Sequence, residues 1–165
     1  MYQKISKESE NPMTMNPSAQ ALWMQFKKAT GITHDEYEAW SFGHSSEIAD
    51  ELLALVLRGE KTGTSSLHLF YELEQEPLPQ VGSYSVLLDG ADQAQAIICT
   101  QVVDILPYSQ VSEVHGYLEG EGDRTLAYWR SVHRPYFERE LQEYQMTFTE
   151  DLLLVYELFE VVYQK

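Results

Sequence analysis

The stretch GEKTGTSS, residues 59–66, sets one lysine among four hydroxyl side chains in a chain with few cations. A lysine amine shielded from water can take a proton from a nearby hydroxyl or water and so generate a nucleophile. Thr64 is the partner of Lys61 by spacing. In a regular strand, residues three apart face opposite ways, so the two converge only if Gly63 admits a bulge or Lys61 still lies in a turn. The competing reading is a solvated charge beside Glu60. A second motif, EGEGD at 119–123, places three carboxylates around two glycines. Either Asp123 caps a following helix, or a narrow loop delivers one carboxylate to a pocket as a general acid/base.

Other chemistries are excluded by spacing. The five histidines, His34, His44, His68, His115 and His133, form no HxxxH pair, and one cysteine cannot build a thiolate cluster, so no metal site is expected. No GxSxG elbow occurs. Cys99, within AIICTQVV, reads as a buried strand thiol, and His133 as a hydrogen-bonded packing residue on an apolar stripe. No cofactor is implied. A net charge of -15, from 26 acidic and 11 basic residues, repels polyanions and disfavours tight binding to long nucleic acid. A small neutral ligand needs only a local pocket.

The elements that must position these groups follow from periodicity and caps. Residues 1–15 are polar and aperiodic and read as a flexible arm; residues 16–165 read as one domain. Asn16, Pro17 and Gly31 mark the start and stop of a first helix, and Thr33 and Glu36 have capping-box spacing for a short second one. From Ser45, the positions Ile48, Leu52, Leu55 and Val56 share a helical face that Gly59 closes. Two β-rich runs flank Asp89 and Gly90, and SEVHGYLEGEGDRT reads as a loop. A helix follows in which Leu126, Trp129, His133, Tyr136 and Phe137 share a side and Pro135 kinks or breaks the run. DLLLVYELFEVVY reads as a long closing strand. This order predicts an α+β fold with a curved or barrel-like sheet. No apolar run is long enough to span a bilayer and no signal segment opens the chain, so a cytoplasmic protein is expected.

Taken together, WSFG at 40–43, ELLALVLRGEKTGTSS, PLPQVGSYSVLLDG, EGEGDRTLAYWRSVH and FTEDLLLVYELFEVVY resemble the ASCH-domain family, in its longer bacterial branch. The resemblance implies a PUA-like curved β-barrel with flanking helices, an N-terminal helical segment, and a cleft at the GxKxxT segment, here Gly59, Lys61 and Thr64. It also implies a nucleoside-like ligand or short RNA as partner, and in some members removal of the acetyl group of N4-acetylcytidine by Lys, Thr and Glu. Those roles carry over to Lys61, Thr64 and Glu121, with Glu119 or Asp123 as other choices for the acid. Around them Gly59, Thr62, Ser65, Ser66 and Asp123 are ligand-binding candidates. Trp129, Tyr128 or Tyr84 would stack on a base, and Arg124 and Arg130 would touch a phosphate. The other readings are a noncatalytic RNA- or nucleotide-binding module and a ribonuclease.

Overall fold

The structure, a computed structural model, describes residues 16–165. The arm expected at 1–15 lies outside the described residues. Helix α1 (Pro17–Thr30) begins where Asn16 accepts a hydrogen bond from the Ala19 amide at 3.0 Å, and ends at Gly31, whose φ of 75° suits glycine. Asn16 Nδ2 also donates to the Asp92 carbonyl at 2.8 Å, tying the helix start to a distant turn. Asn16→Ala is therefore expected to cost about 1 kcal/mol in a urea titration, whereas Asn16→Asp should keep the cap and lose only the second bond.

The expected helix at Thr33–Glu36 does not form. Both residues are exposed, and the segment is extended chain leading into β1 (Glu38–Ser41). Tertiary packing overrides the local cap: Tyr37 lies against Trp23 with ring centroids 4.7 Å apart, and Ile32 and Ala39 join the same cluster. Helix α2 (Ser46–Leu57) follows, capped by Ser45, and buries Leu52, Leu53 and Val56. Burying each such side chain is worth about 1.5–3 kcal/mol.

The remaining elements are β2 (Gly63–Leu67), α3 (His68–Leu73), β3 (Tyr84–Leu88), β4 (Ala94–Pro107), α4 (Glu113–Glu119), α5 (Leu126–Glu143) and β5 (Leu153–Gln164). The five strands form one mixed sheet in the order β1-β3-β4-β5-β2, with β1 parallel to β3 and the other pairs antiparallel. The sheet is curled into a half-barrel, an α+β, PUA-like arrangement. Three features were not expected from sequence: the strand β1, the helix α3, and a helix within the presumed loop before Gly120. Helix α4 is set by Ser112, whose amide and hydroxyl both meet His115 Nδ1, at 3.0 and 2.8 Å. Pro135 does not break α5, which runs through it with the proline ring exposed.

Strand alternation sorts the core. On one face, α1 covers Val86, Leu88 and Ile97, and α5 covers Leu67, Leu154 and Tyr156. On the other, α2 packs with Trp40, Phe42, Leu87, Ile98 and Phe159. Cys99 is buried in β4 as expected. Among the described residues no helix is long and apolar enough to cross a membrane.

Candidate functional site

The two short motifs singled out by sequence meet in space. Thr62 N donates to Leu118 O at 2.8 Å, joining the turn before β2 to the end of α4. Gly120 then packs directly on the backbone of Glu60 and Lys61: a Cβ there would fall on the Glu60 carbonyl oxygen and 2.8 Å from Lys61 N. Its φ of 74° ends α4 and turns the chain so that Glu119 and Glu121 both point back at Lys61.

Lys61 is 1% exposed, an extreme for a lysine. Its Nζ pairs with Glu119 Oε2 at 3.3 Å and Glu121 Oε1 at 3.2 Å, and donates to the Glu119 carbonyl at 3.4 Å. Glu119 is fully buried and is the hub. Its Oε1 accepts from Ser65 Oγ at 2.6 Å and from Trp129 Nε1 at 2.8 Å, and its Oε2 faces His133 Nε2 at 3.3 Å. His133 Nδ1 donates to the Trp129 carbonyl at 2.9 Å, and the two rings stack at 4.3 Å. Both imidazole nitrogens thus face acceptors. Inside the protein the Lys61 ammonium is paired with and hydrogen-bonded to two carboxylates, the condition under which buried charge is tolerable.

Burial pushes the Glu119 carboxyl up, but His133 and Lys61 outweigh it and hold the group well below the usual carboxylate range. A depressed folded-state pKa contributes stability that is present above the unfolded value and lost as pH falls through the folded one. Acid titration followed by circular dichroism should therefore show stability falling below about pH 4, with a shallower fall in Glu119→Gln.

Glu119, Glu121 and His133 each offer a ligand atom within 4.8 Å of the others, a spacing that could hold a metal ion. The Lys61 ammonium already contacts both carboxylates, so a divalent cation would compete with it for the same oxygens.

The structure gathers Lys61, Glu121, Ser65 and Trp129 and separates the other candidates from them. Ser65, not Thr64, turns to Glu119, because neighbours in β2 face opposite sides; Thr64 lies across from Glu157 with its Oγ1 buried and unpartnered. Thr62 Oγ1 bonds Leu118 O, and Gly59 closes the turn after α2 at a φ of 72°. Ser66 bonds Tyr71. Asp123 is exposed and caps α5 through Thr125. Arg124 lies 3.8 Å over the Tyr117 ring and bonds the Tyr117 and Glu60 carbonyls, and Arg130 is exposed. Of the aromatic candidates, Tyr84 packs on α1 and Tyr128 covers Gly122. The sequence reading missed Glu119 as the hub and His133 as its partner. The only available signal was the i, i+4 placement of Trp129 and His133 on the buried face of α5.

The ASCH domain family model matches residues 38–163. The chain belongs to the ASCH domain family. Among solved structures, it is similar to an ASCH domain from Lactobacillus crispatus JV V101, at 35% identity and TM-score 0.88, over 92% of this chain and 98% of that one. It is also similar to protein EF3133 from Enterococcus faecalis V583, at 40% identity and TM-score 0.84, over 90% of each chain. Hypothetical protein PH0355, at 15% identity, TM-score 0.50 and coverage of 76% of this chain and 98% of that one, shares the fold alone. A search of curated proteins finds no match. The matched span of the ASCH domain contains every member of the Lys61 cluster.

Proposed function

We propose that this ASCH domain hydrolyses an amide on a nucleoside-like ligand, with Lys61 and Glu121 as the catalytic residues. The observation that carries the reading is a buried lysine held against two carboxylates, one of which, Glu121, keeps its side chain 10% exposed. Charge in such a water-poor setting acts strongly on a reacting group and needs no reorganisation.

Glu121 takes the proton of a water as that water attacks the amide carbonyl carbon. The Lys61 ammonium faces the oxyanion so formed. Collapse of the tetrahedral intermediate expels the amine, to which Glu121 returns the proton, leaving a carboxylic acid and the free amine. Glu119, Ser65, Trp129 and His133 position Lys61 and do not touch substrate. Attack by the Thr64 hydroxyl in place of water would leave an acyl-enzyme, visible as a mass increment in rapidly quenched protein.

Two observations favour a small neutral substrate over RNA. The net charge is -15, and Arg124 is engaged with the Tyr117 and Glu60 carbonyls. The test is chromatography of purified protein incubated with N4-acetylcytidine. Cytidine should appear with wild type, and Lys61→Ala and Glu121→Gln should lower kcat/KM by about 10²–10⁴-fold. No cytidine from folded wild-type protein removes the reading. A noncatalytic RNA module or a ribonuclease would instead show affinity for single-stranded RNA that falls steeply with salt.

A further inference from the structure

Strand β4 outruns its neighbour on one side. β3 pairs with it from Ala94 to Cys99, and the chain before β3 adds two bonds at Thr100: Gly82 N donates to Thr100 O at 2.8 Å and Thr100 N to Ser83 O at 3.0 Å. On its other side β5 continues to Pro107. Among the described residues, no backbone pairs with residues 101–105 on the side that β3 has left. The register shift between Thr100 and Val102 reverses which residues face that side. Beyond it, Tyr108 N donates to Leu152 O at 2.8 Å, so the main-chain groups of Val102, Asp104 and Leu106 turn to β5 and those of Val103 and Ile105 turn away. The Ile105 amide agrees: it donates to the side chain of its neighbour, Asp104 Oδ1, at 2.9 Å. Gln101, Val102, Asp104 and Ile105 are all exposed.

An open edge is a template for another strand, and proteins commonly blunt it with lysine. Here no strand of the sheet contains a lysine or arginine, and none occurs between Lys61 and Arg124 or between Arg139 and Lys165. The edge carries Asp104, with Glu157 and Glu160 beside it on β5. A second copy laid against this edge would set acid against acid in molecules of net charge -15. A basic strand is the complementary occupant. Alternation gives its pattern, because directly opposed residues share a face. Asp104 shares the face of Tyr156, and Val103 and Ile105 lie on the other. A lysine or arginine flanked by apolar residues therefore sets its charge against Asp104 and its neighbours against Val103 and Ile105. The arriving carbonyl takes the Ile105 amide and releases the Asp104 carboxylate to the cation. Exposed apolar side chains extend the surface at both ends, Val81 next to Gly82 and Leu153 opposite Pro107.

We propose that residues 101–105 of β4 are a docking edge for an extended, basic segment of a partner protein, bound by strand addition. Val103 and Ile105 supply the main-chain bonds, and Asp104 selects lysine or arginine. The edge lies outside the Lys61 cluster, so the proposal is independent of amide hydrolysis.

The probe is a fluorescein-labelled heptapeptide alternating lysine and valine, titrated into the full chain and followed by fluorescence anisotropy. Beside it run a peptide with glutamate in place of lysine and one N-methylated at its valines, which keeps the charge and removes the pairing donors. The lysine–valine peptide should bind, and each of the other two about tenfold more weakly or less. Val103→Pro removes a donor that faces away from β5, and Asp104→Lys reverses the selecting charge; each should weaken binding about tenfold in protein whose melting curve shows it folded. Asp104→Lys, an exposed position, carries the test if Val103→Pro does not fold. Hydrogen exchange at the Val103 amide should slow when the peptide binds. Absence of binding would overturn the docking edge, as would binding indifferent to N-methylation and to Asp104→Lys, which is charge attraction alone. A wild-type dimer in sedimentation that Asp104→Lys or Val103→Pro dissolves would give the edge to a second copy and overturn the basic partner.

Discussion

Replacing Glu119 with alanine should lower the unfolding free energy by about 3–5 kcal/mol, the range for breaking a buried ion pair from one side. The size follows from what is stranded. Ser65 Oγ, Trp129 Nε1, Lys61 Nζ and His133 Nε2 all lose the same carboxylate, and each is in a residue at most 2% exposed. The Lys61 ammonium would keep Glu121 as its counter-charge. Glu119→Gln keeps the volume and one acceptor oxygen, so its loss should be smaller. Urea titrations of both variants give the comparison through the midpoint at constant slope. A midpoint for Glu119→Ala within error of wild type would show that the cluster contributes nothing to folding.

Gly120→Ala is expected to be nearly as damaging, for a backbone reason. A left-handed conformation costs a residue with a Cβ about 1–2 kcal/mol. Here the added carbon also meets the Glu60 carbonyl and Lys61 N, neither of which can swing aside as a flexible side-chain tip would. The 119–121 turn must lift, and with it the Lys61 contacts to Glu119 and Glu121. A loss of about 2–4 kcal/mol follows from strain plus overpacking, accompanied by loss of hydrolysis. Gly31→Ala is the control: its φ of 75° is nearly the same, but nothing lies within 4 Å of the added carbon. It should cost about 1 kcal/mol. Equal losses at the two positions would mean that the close approach at Gly120 has no energetic weight.

The parts of the fold that could be read ahead of the structure are those whose causes lie within a few residues. Asn16, Pro17 and Gly31 bound α1, Ser45 caps α2, and β3, β4 and β5 follow from runs of β-branched and aromatic residues. Where reading failed, a distant partner had decided. The capping-box spacing of Thr33 and Glu36 yielded to packing of Tyr37 on Trp23, and glycines near EGEGD suggested a loop although Ser112 and His115 start a helix before them.

By itself the sequence determined the α+β class, the ends of the main helices, and the pairing of a lone lysine motif with an acidic turn as the places where chemistry could sit. The tertiary structure decided which residues act together. Lys61 meets Glu119 across 58 positions and Glu121 across 60, separations over which no local periodicity carries information. Strand parity, not spacing, sent Ser65 to the carboxylate and Thr64 to the other face, and the curl of the sheet brought Phe42 to Lys61. Local rules encode dihedral preferences and faces of single elements, whereas a buried charge cluster exists only once several elements have excluded water from the same point.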